Sequence, residues 1–348
     1  MNTPETGSIR VAFTELTELA AEAVGGRVLG SSDDFFAEDD NLLKPGRGVF
    51  IADKFTPRGK WMDGWESRRK RRPGHDWCVL ALGLPGVVRG VDVDTNHFTG
   101  NFPAFCRLEA CEAPAKATLA QLERADWREL VPKARLVGGS RNLFACVDGA
   151  RATHLRLRIY PDGGVARLRV YGDVRPDWTA LLRGKGELDL AGAANGGTVV
   201  TCNDMFFGPK DNLILPGRAA TMGGGWETRR KRVPGNDWIV VRLGRPGRIN
   251  KAEVDTNHFK GNFPDSCSLE GCMIRGWDGP DVFEPGCDVQ RGPEPGPSWT
   301  TLLPRTKLKG HARNRFKLSG GVRVFSHVRL SIFPDGGVSR LRLFGTPA

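Results

Sequence analysis

Two apolar patterns run through this chain, and both are strand patterns. Trp77-Cys78-Val79-Leu80-Ala81-Leu82 is apolar at odd and even positions alike, which predicts a strand buried on both faces. Val91-Asp92-Val93-Asp94-Thr95-Asn96 alternates instead, so one face is apolar and the other carries two carboxylates and an amide. Thr153 to Tyr160 alternates as well, with Leu155, Leu157 and Ile159 on one face and His154, Arg156 and Arg158 on the other. The turn Pro161-Asp162-Gly163-Gly164 follows, then Val165 to Tyr171, where Arg167 and Arg169 share a face, and together these segments predict a β-hairpin. Helical spacing is weak: Phe13, Leu16, Leu19, Ala20 and Ala23 predict a short amphipathic helix over 11–24, stopped by Gly25-Gly26. Short strands separated by turns, with 45 Gly and 23 Pro, predict β-sandwiches.

The pattern occurs twice. Gly64 to Cys111 aligned without a gap on Gly225 to Cys272 gives 30 identities in 48 positions. Cores tolerate apolar swaps of similar volume, so packing alone does not hold polar letters fixed. Yet the retained letters are polar: Glu66/Glu227, Arg68-Arg69/Arg229-Arg230, Asp76/Asp237, Asp94 to His97/Asp255 to His258, and Glu109/Glu270. Glu18 to Gly26 also matches Asp189 to Gly197, which makes Arg183 to Gly186 a linker and gives two repeats, 1–184 and 185–348. The first repeat has about ten extra residues between Arg47 and Gly64, and the second has a Gly/Pro-rich insertion over Gly276 to Pro297; both read as surface loops.

Composition narrows the partners. A net charge of +11 and a pI near 9.5 favour acidic ones: nucleic acid, anionic lipid or a small anionic substrate. No apolar run approaches the ~20 residues that span a bilayer, and Met1 to Arg10 lacks a secretory signal, which places the protein in the cytoplasm. Of the eight cysteines, Cys106 and Cys111 match Cys267 and Cys272; a five-residue spacing on a strand turns each pair to opposite faces, so buried or free thiols are expected and not a zinc site.

The duplicated polar letters hold the candidate chemistry. Glu66 heads the basic run Arg68 to Arg71, and a carboxylate there repels phosphate but orients an arginine, so the run reads as a local anion site and not a nucleic-acid stripe. His97 and His258, each beside a carboxylate row, suit a general acid or base, or a divalent-metal ligand together with Asp94; mixed N/O donors fit manganese or zinc. The alternative for each histidine is a loop residue that fixes the Gly-Asn-Phe-Pro turn, and for Asn101 and Asn262 a turn residue. His154 and His327, inside strands, read as structural. No Walker loop, GxSxG, HExxH or Rossmann fingerprint stands in a convincing context, which leaves acid/base or metal chemistry without a nucleophilic triad.

Three motifs carry a family resemblance: Gly64 to Trp77, Val93 to Pro103 and Tyr160 to Arg169, repeated in order at Gly225 to Trp238, Val254 to Pro264 and Phe333 to Arg342. They resemble the allantoicase family over nearly the whole chain. The resemblance implies an all-β tandem of jelly-roll, galactose-binding-like sandwiches, a homo-oligomer, and hydrolysis of allantoate to ureidoglycolate and urea in purine breakdown. On that reading Arg68, Arg69 or Arg156 holds the substrate carboxylate and Asn96 and Asn101 read its ureido groups, while Asp94 or Glu66 orients His97 as acid and then base. Arg229, Arg230, Asn257, Asn262, Asp255, Glu227 and His258 are the second set. The competing reading is a non-catalytic tandem module that binds ureides or sugars.

Overall fold

A computed structural model describes residues 12–184, 186–274, 298–319 and 321–348. Met1 to Arg10, Val11 of the expected helix, Lys185 of the linker and the whole second-repeat insertion, Gly276 to Pro297, lie outside the described residues. The chain divides into two compact units, 1–175 and 176–348. Each is built on one eight-stranded network.

At the centre of the first unit is the single 19-residue strand Asp76–Asp94, which joins the two apolar patterns of the sequence into one element. Its early residues pair with Arg27–Ser31 and with Arg151–Tyr160, and the latter leads on to Phe105–Cys111 and Arg128–Arg135. Its late residues pair with Arg167–Val174 and Arg141–Ala145. One strand therefore serves both layers of a sandwich. Asp237–Asp255 does the same in the second unit, between Phe325–Phe333 and Arg340–Pro347. The alternation is realised in the packing: Leu155, Leu157, Ile159, Val91, Val93, Leu168 and Val170 are completely buried. Each such side chain contributes roughly 1.5–3 kcal/mol relative to exposure.

Two local expectations fail. The expected 11–24 helix is two 3-10 turns, Ala12–Glu15 and Glu22–Val24, around the short strand Thr17–Glu18. Thr17 and Glu18 pair with Gly172 and Tyr171, so the apolar residues that mimic a helical stripe edge a sheet; Leu19 and Ala20 are buried beneath it. Gly25 is the stop, at φ 96°. The expected hairpin is also absent. Arg151–Tyr160 and Arg167–Val174 pair with different halves of the long strand, and the intervening Gly164–Val165 pairs with Trp65–Glu66. The chain crosses between layers at the Pro-Asp-Gly-Gly turn because a stronger partner than its own return strand lies there. Gly164 is required at the crossing: a Cβ would lie 2.0 Å from the ring of Phe98, and at Gly337 1.9 Å from Phe259.

Candidate functional site

The Asp94 to Pro103 segment leaves the end of the long strand as a turn pinned from three directions. Phe98 N donates to Thr95 O at 2.9 Å, and Thr95 Oγ1 donates to Val137 O at 2.6 Å while it accepts from Ser140 N. His97 sits between them in the left-handed region, φ 67°, and His258 repeats this at φ 71°. Non-glycine residues there are uncommon, and they mark turns or functional strain. The conformation sends Phe98 inward, fully buried with Ala37, Met62 and Ala166, and leaves His97 exposed.

The aspartates are not the partners of these histidines. Asp94 accepts a fork from Arg47, Nε to Oδ2 and Nη2 to Oδ1 at 2.8 Å each, and Oδ1 also accepts from Asn96 N at 2.9 Å. Asp255 is held alike by Arg218, at 2.9 and 3.1 Å, and by Asn257 N at 3.0 Å. Both aspartates are buried, and both oxygens of each accept a hydrogen bond from arginine. The amides of Asn96 and Asn257 donate to Gly48 O and Ala219 O, the residues after each arginine, so they fix that arginine loop. Arg169 reinforces it by donating to Lys44 O and Gly46 O. Sequence reading had not singled out Arg47 and Arg218, although the repeated Pro-Gly-Arg was the available signal.

Glu66 and Asn101 do meet. Asn101 Nδ2 donates to Glu66 Oε1 at 2.7 Å, and Asn262 Nδ2 donates to Glu227 Oε1 at 2.6 Å. Asn101 is a turn residue as well: its carbonyl accepts from Gly164 N at 2.8 Å. Burial pushes the Glu66 carboxyl above its ordinary value, and the Asn101 bond offsets only part of that. His97 rests on Phe50 of the first repeat's extra loop, ring centroids 5.7 Å apart. His258 instead has Nε2 3.0 Å from Ala219 O, while its backbone N donates to His311 Nδ1.

The arginines separate into committed and open groups. Arg68 pairs with Asp33 at 2.7 Å over the ring of Phe35, and Arg229 pairs with Asp204 at 2.7 Å over Phe206. Arg69 and Arg230 are exposed and, among the described residues, have no hydrogen-bond or ion-pair partner. Arg156 belongs to a different cluster: it bonds Glu109 at 2.6 Å and stacks on Trp127, and Arg329 with Glu270 and Trp299 repeats the unit. The Trp letters of that unit were not read from the sequence, because their partners lie on other strands.

The donor set does not suit a metal ion at Asp94 and His97, since Arg47 occupies both carboxylate oxygens. Among the described residues no three His, Cys, Asp or Glu side chains gather as a ligand group. Among the described residues the thiols are free, and burial pushes Cys106 and Cys267 up to about 12 and Cys111 and Cys272 up to about 11. His154 and His327 are buried strand histidines bonded to Thr153 and Ser326 hydroxyls at 2.8 and 2.9 Å.

Fold and site together define a tandem all-β sandwich protein in which a Glu–Asn pair and a turn with a left-handed histidine are each built twice. The chain belongs to the allantoicase family, whose allantoicase repeat matches residues 17–175 and again 188–348. It is 46% identical over 329 residues to a probable allantoicase of Burkholderia mallei, covering 94% of each chain. It is 46% identical over 333 residues to the allantoicase of Dictyostelium discoideum, covering 95% of this chain and 87% of the other. The crystal structure of allantoicase from Saccharomyces cerevisiae matches with a TM-score of 0.78 at 34% identity, covering 95% of this chain and 93% of the other. Among the described residues no helix is long and apolar enough to cross a membrane.

Proposed function

We propose that this chain hydrolyses allantoate to ureidoglycolate and urea at the centre formed by Glu66, Asn101 and His97. The observation that carries the chemistry is Glu66: a half-buried carboxyl whose only side-chain hydrogen-bond partner among the described residues is a neutral amide, so it retains its proton to higher pH than an ordinary glutamate. Allantoate bears a carboxylate and two ureido groups on one carbon. Glu66 delivers its proton to the departing ureido nitrogen, and the C–N bond breaks to release urea. Water then adds its oxygen to that carbon and returns a proton to Glu66, so the acid is regenerated. Asn101 fixes Glu66 Oε1 and leaves Oε2 for the substrate. His97, exposed on its rigid turn, orients the water, and the open guanidinium of Arg69 takes the substrate carboxylate.

In this reading the reaction runs on protein groups, with no step through a metal. The partner is a small anionic ureide and not nucleic acid, because Arg68 and Lys70 of the basic run are already paired with Asp33 and Asp76. Buried free thiols support a reducing, cytoplasmic setting. Exposed Val49, Phe50, Ile51 and Phe55 support self-association into a homo-oligomer. The test is urea release from allantoate by the purified protein. Stoichiometric urea is expected, and binding without urea release would favour a ureide-binding module.

A further inference from the structure

The first unit holds a hollow with its own chemistry. Arg68, Lys70, Arg71, Arg72 and His75 line an open depression of about 850 Å³. Its acids are already spent: Asp33 on Arg68, Asp76 on Lys70, and Asp162 on the backbone N–H of Lys70. Arg71 and Arg72 are exposed and, among the described residues, carry no hydrogen-bond or ion-pair partner.

His75 is built in. Its Nε2 lies 2.7 Å from Arg158 Nη1, and Arg158 Nε is held by Glu109 Oε2 at 2.8 Å. A guanidinium only donates, so Nε2 accepts and the ring proton sits on Nδ1. The ring also packs on Tyr160, centroids 5.1 Å apart. Burial and the neighbouring Arg158 push the imidazole below its ordinary value, which keeps it neutral at pH 7. Among the described residues that line the hollow, the uncommitted groups are two guanidiniums and one imidazole N–H, all donors; Asp76 Oδ2 has no partner but is fully buried.

The second copy dismantles this arrangement. Val233 stands where Arg72 is, Asn236 where His75 is, and Ser331 where Arg158 is. We infer that the hollow is an anion-binding site of the first repeat alone, in which Arg71, Arg72 and His75 donate to a small oxyanion, phosphate or carboxylate. Its donors are other residues than Glu66, Asn101, His97 and Arg69, and the inference does not depend on the reaction assigned there.

The second repeat supplies the variant for a test, because the same fold accepts Val and Asn at these positions. Isothermal titration of the full chain with inorganic phosphate and with oxalate, at low salt, should give saturable binding that the double variant Arg72→Val/His75→Asn weakens at least tenfold. Tighter phosphate binding makes it a phosphate site, and tighter oxalate binding a carboxylate site. In the wild-type chain the ring resonances of His75 should move along the same isotherm. No saturable binding of either anion, equal binding by the variant, or a silent His75 signal each overturns the site, whether or not the protein releases urea from allantoate.

Discussion

Asn101 Nδ2 lies 2.7 Å from Glu66 Oε1, a bond that joins residues 35 apart in sequence and recurs between Asn262 and Glu227 at 2.6 Å. It explains why the Gly-Asn-Phe-Pro turn and the Gly-Trp-Glu strand keep their letters together. The turn orients the acid, and the acid gives the turn its second partner.

The Glu66 carboxyl titrates above its ordinary value of 4.5. Between that value and the raised one, the folded chain holds a proton that the unfolded chain releases, so this group's contribution to stability is full at low pH and is lost as pH rises. Glu66→Gln removes the cost. Denaturant unfolding at pH 7 should show the variant as stable as wild type or more stable by up to about 1 kcal/mol. A loss above about 2 kcal/mol would mark Glu66 as a structural acid.

Arg47 satisfies a buried carboxylate with two bonds. Arg47→Ala should cost about 1–3 kcal/mol, at the lower end because the guanidinium is half exposed, 52%. Arg47→Lys should recover less than half of that, since an ammonium cannot reproduce the fork. Denaturation midpoints of the two variants check it, and full recovery by lysine would reduce the pair to simple charge neutralisation.

His97 combines an imidazole with a left-handed backbone, φ 67°. Asparagine tolerates that conformation and β-branched valine does not. His97→Asn should therefore unfold within about 0.5 kcal/mol of wild type while His97→Val loses about 1–2 kcal/mol more. Turnover by the folded double variant His97→Asn/His258→Asn should fall about a hundredfold, the loss of the imidazoles alone. Unfolding curves and urea-release rates separate the two effects.

Burial, with Arg242 nearby, depresses the His327 imidazole from 6.5 to about 4. A lowered folded value means that its stabilisation is present above pH 6.5 and disappears as pH falls toward 4, with a ceiling on the order of 3 kcal/mol. His154 shifts in the same direction. The decline in unfolding free energy between pH 7 and 4.5 should be shallower in His327→Gln than in wild type; equal slopes would contradict it.

Periodicity exposed the strands and the duplication exposed the polar centre, because both are written in local letters. Pairing is not local. The Pro-Asp-Gly-Gly turn announces a reversal but not that Gly164–Val165 will pair with Trp65–Glu66, nearly a hundred residues earlier. The apolar residues of 11–24 fit a helix until Thr17–Glu18 finds the edge of Arg167–Val174. Asp94 looked like a partner for its neighbour His97, and only the folded chain brings Arg47 to it. Strand parity puts Arg156 on a polar face, where the resemblance offers it as a substrate ligand, but its partner Glu109 lies on an adjacent strand.

The most direct measurement is urea release from allantoate by the double variant Glu66→Gln/Glu227→Gln, with folding verified by its unfolding curve. Loss of at least a hundredfold in kcat/KM is predicted, because both copies of the acid are gone while their hydrogen bonds to Asn101 and Asn262 have a neutral substitute. A folded double variant that releases urea within threefold of wild type would contradict the assignment of the reaction to this centre.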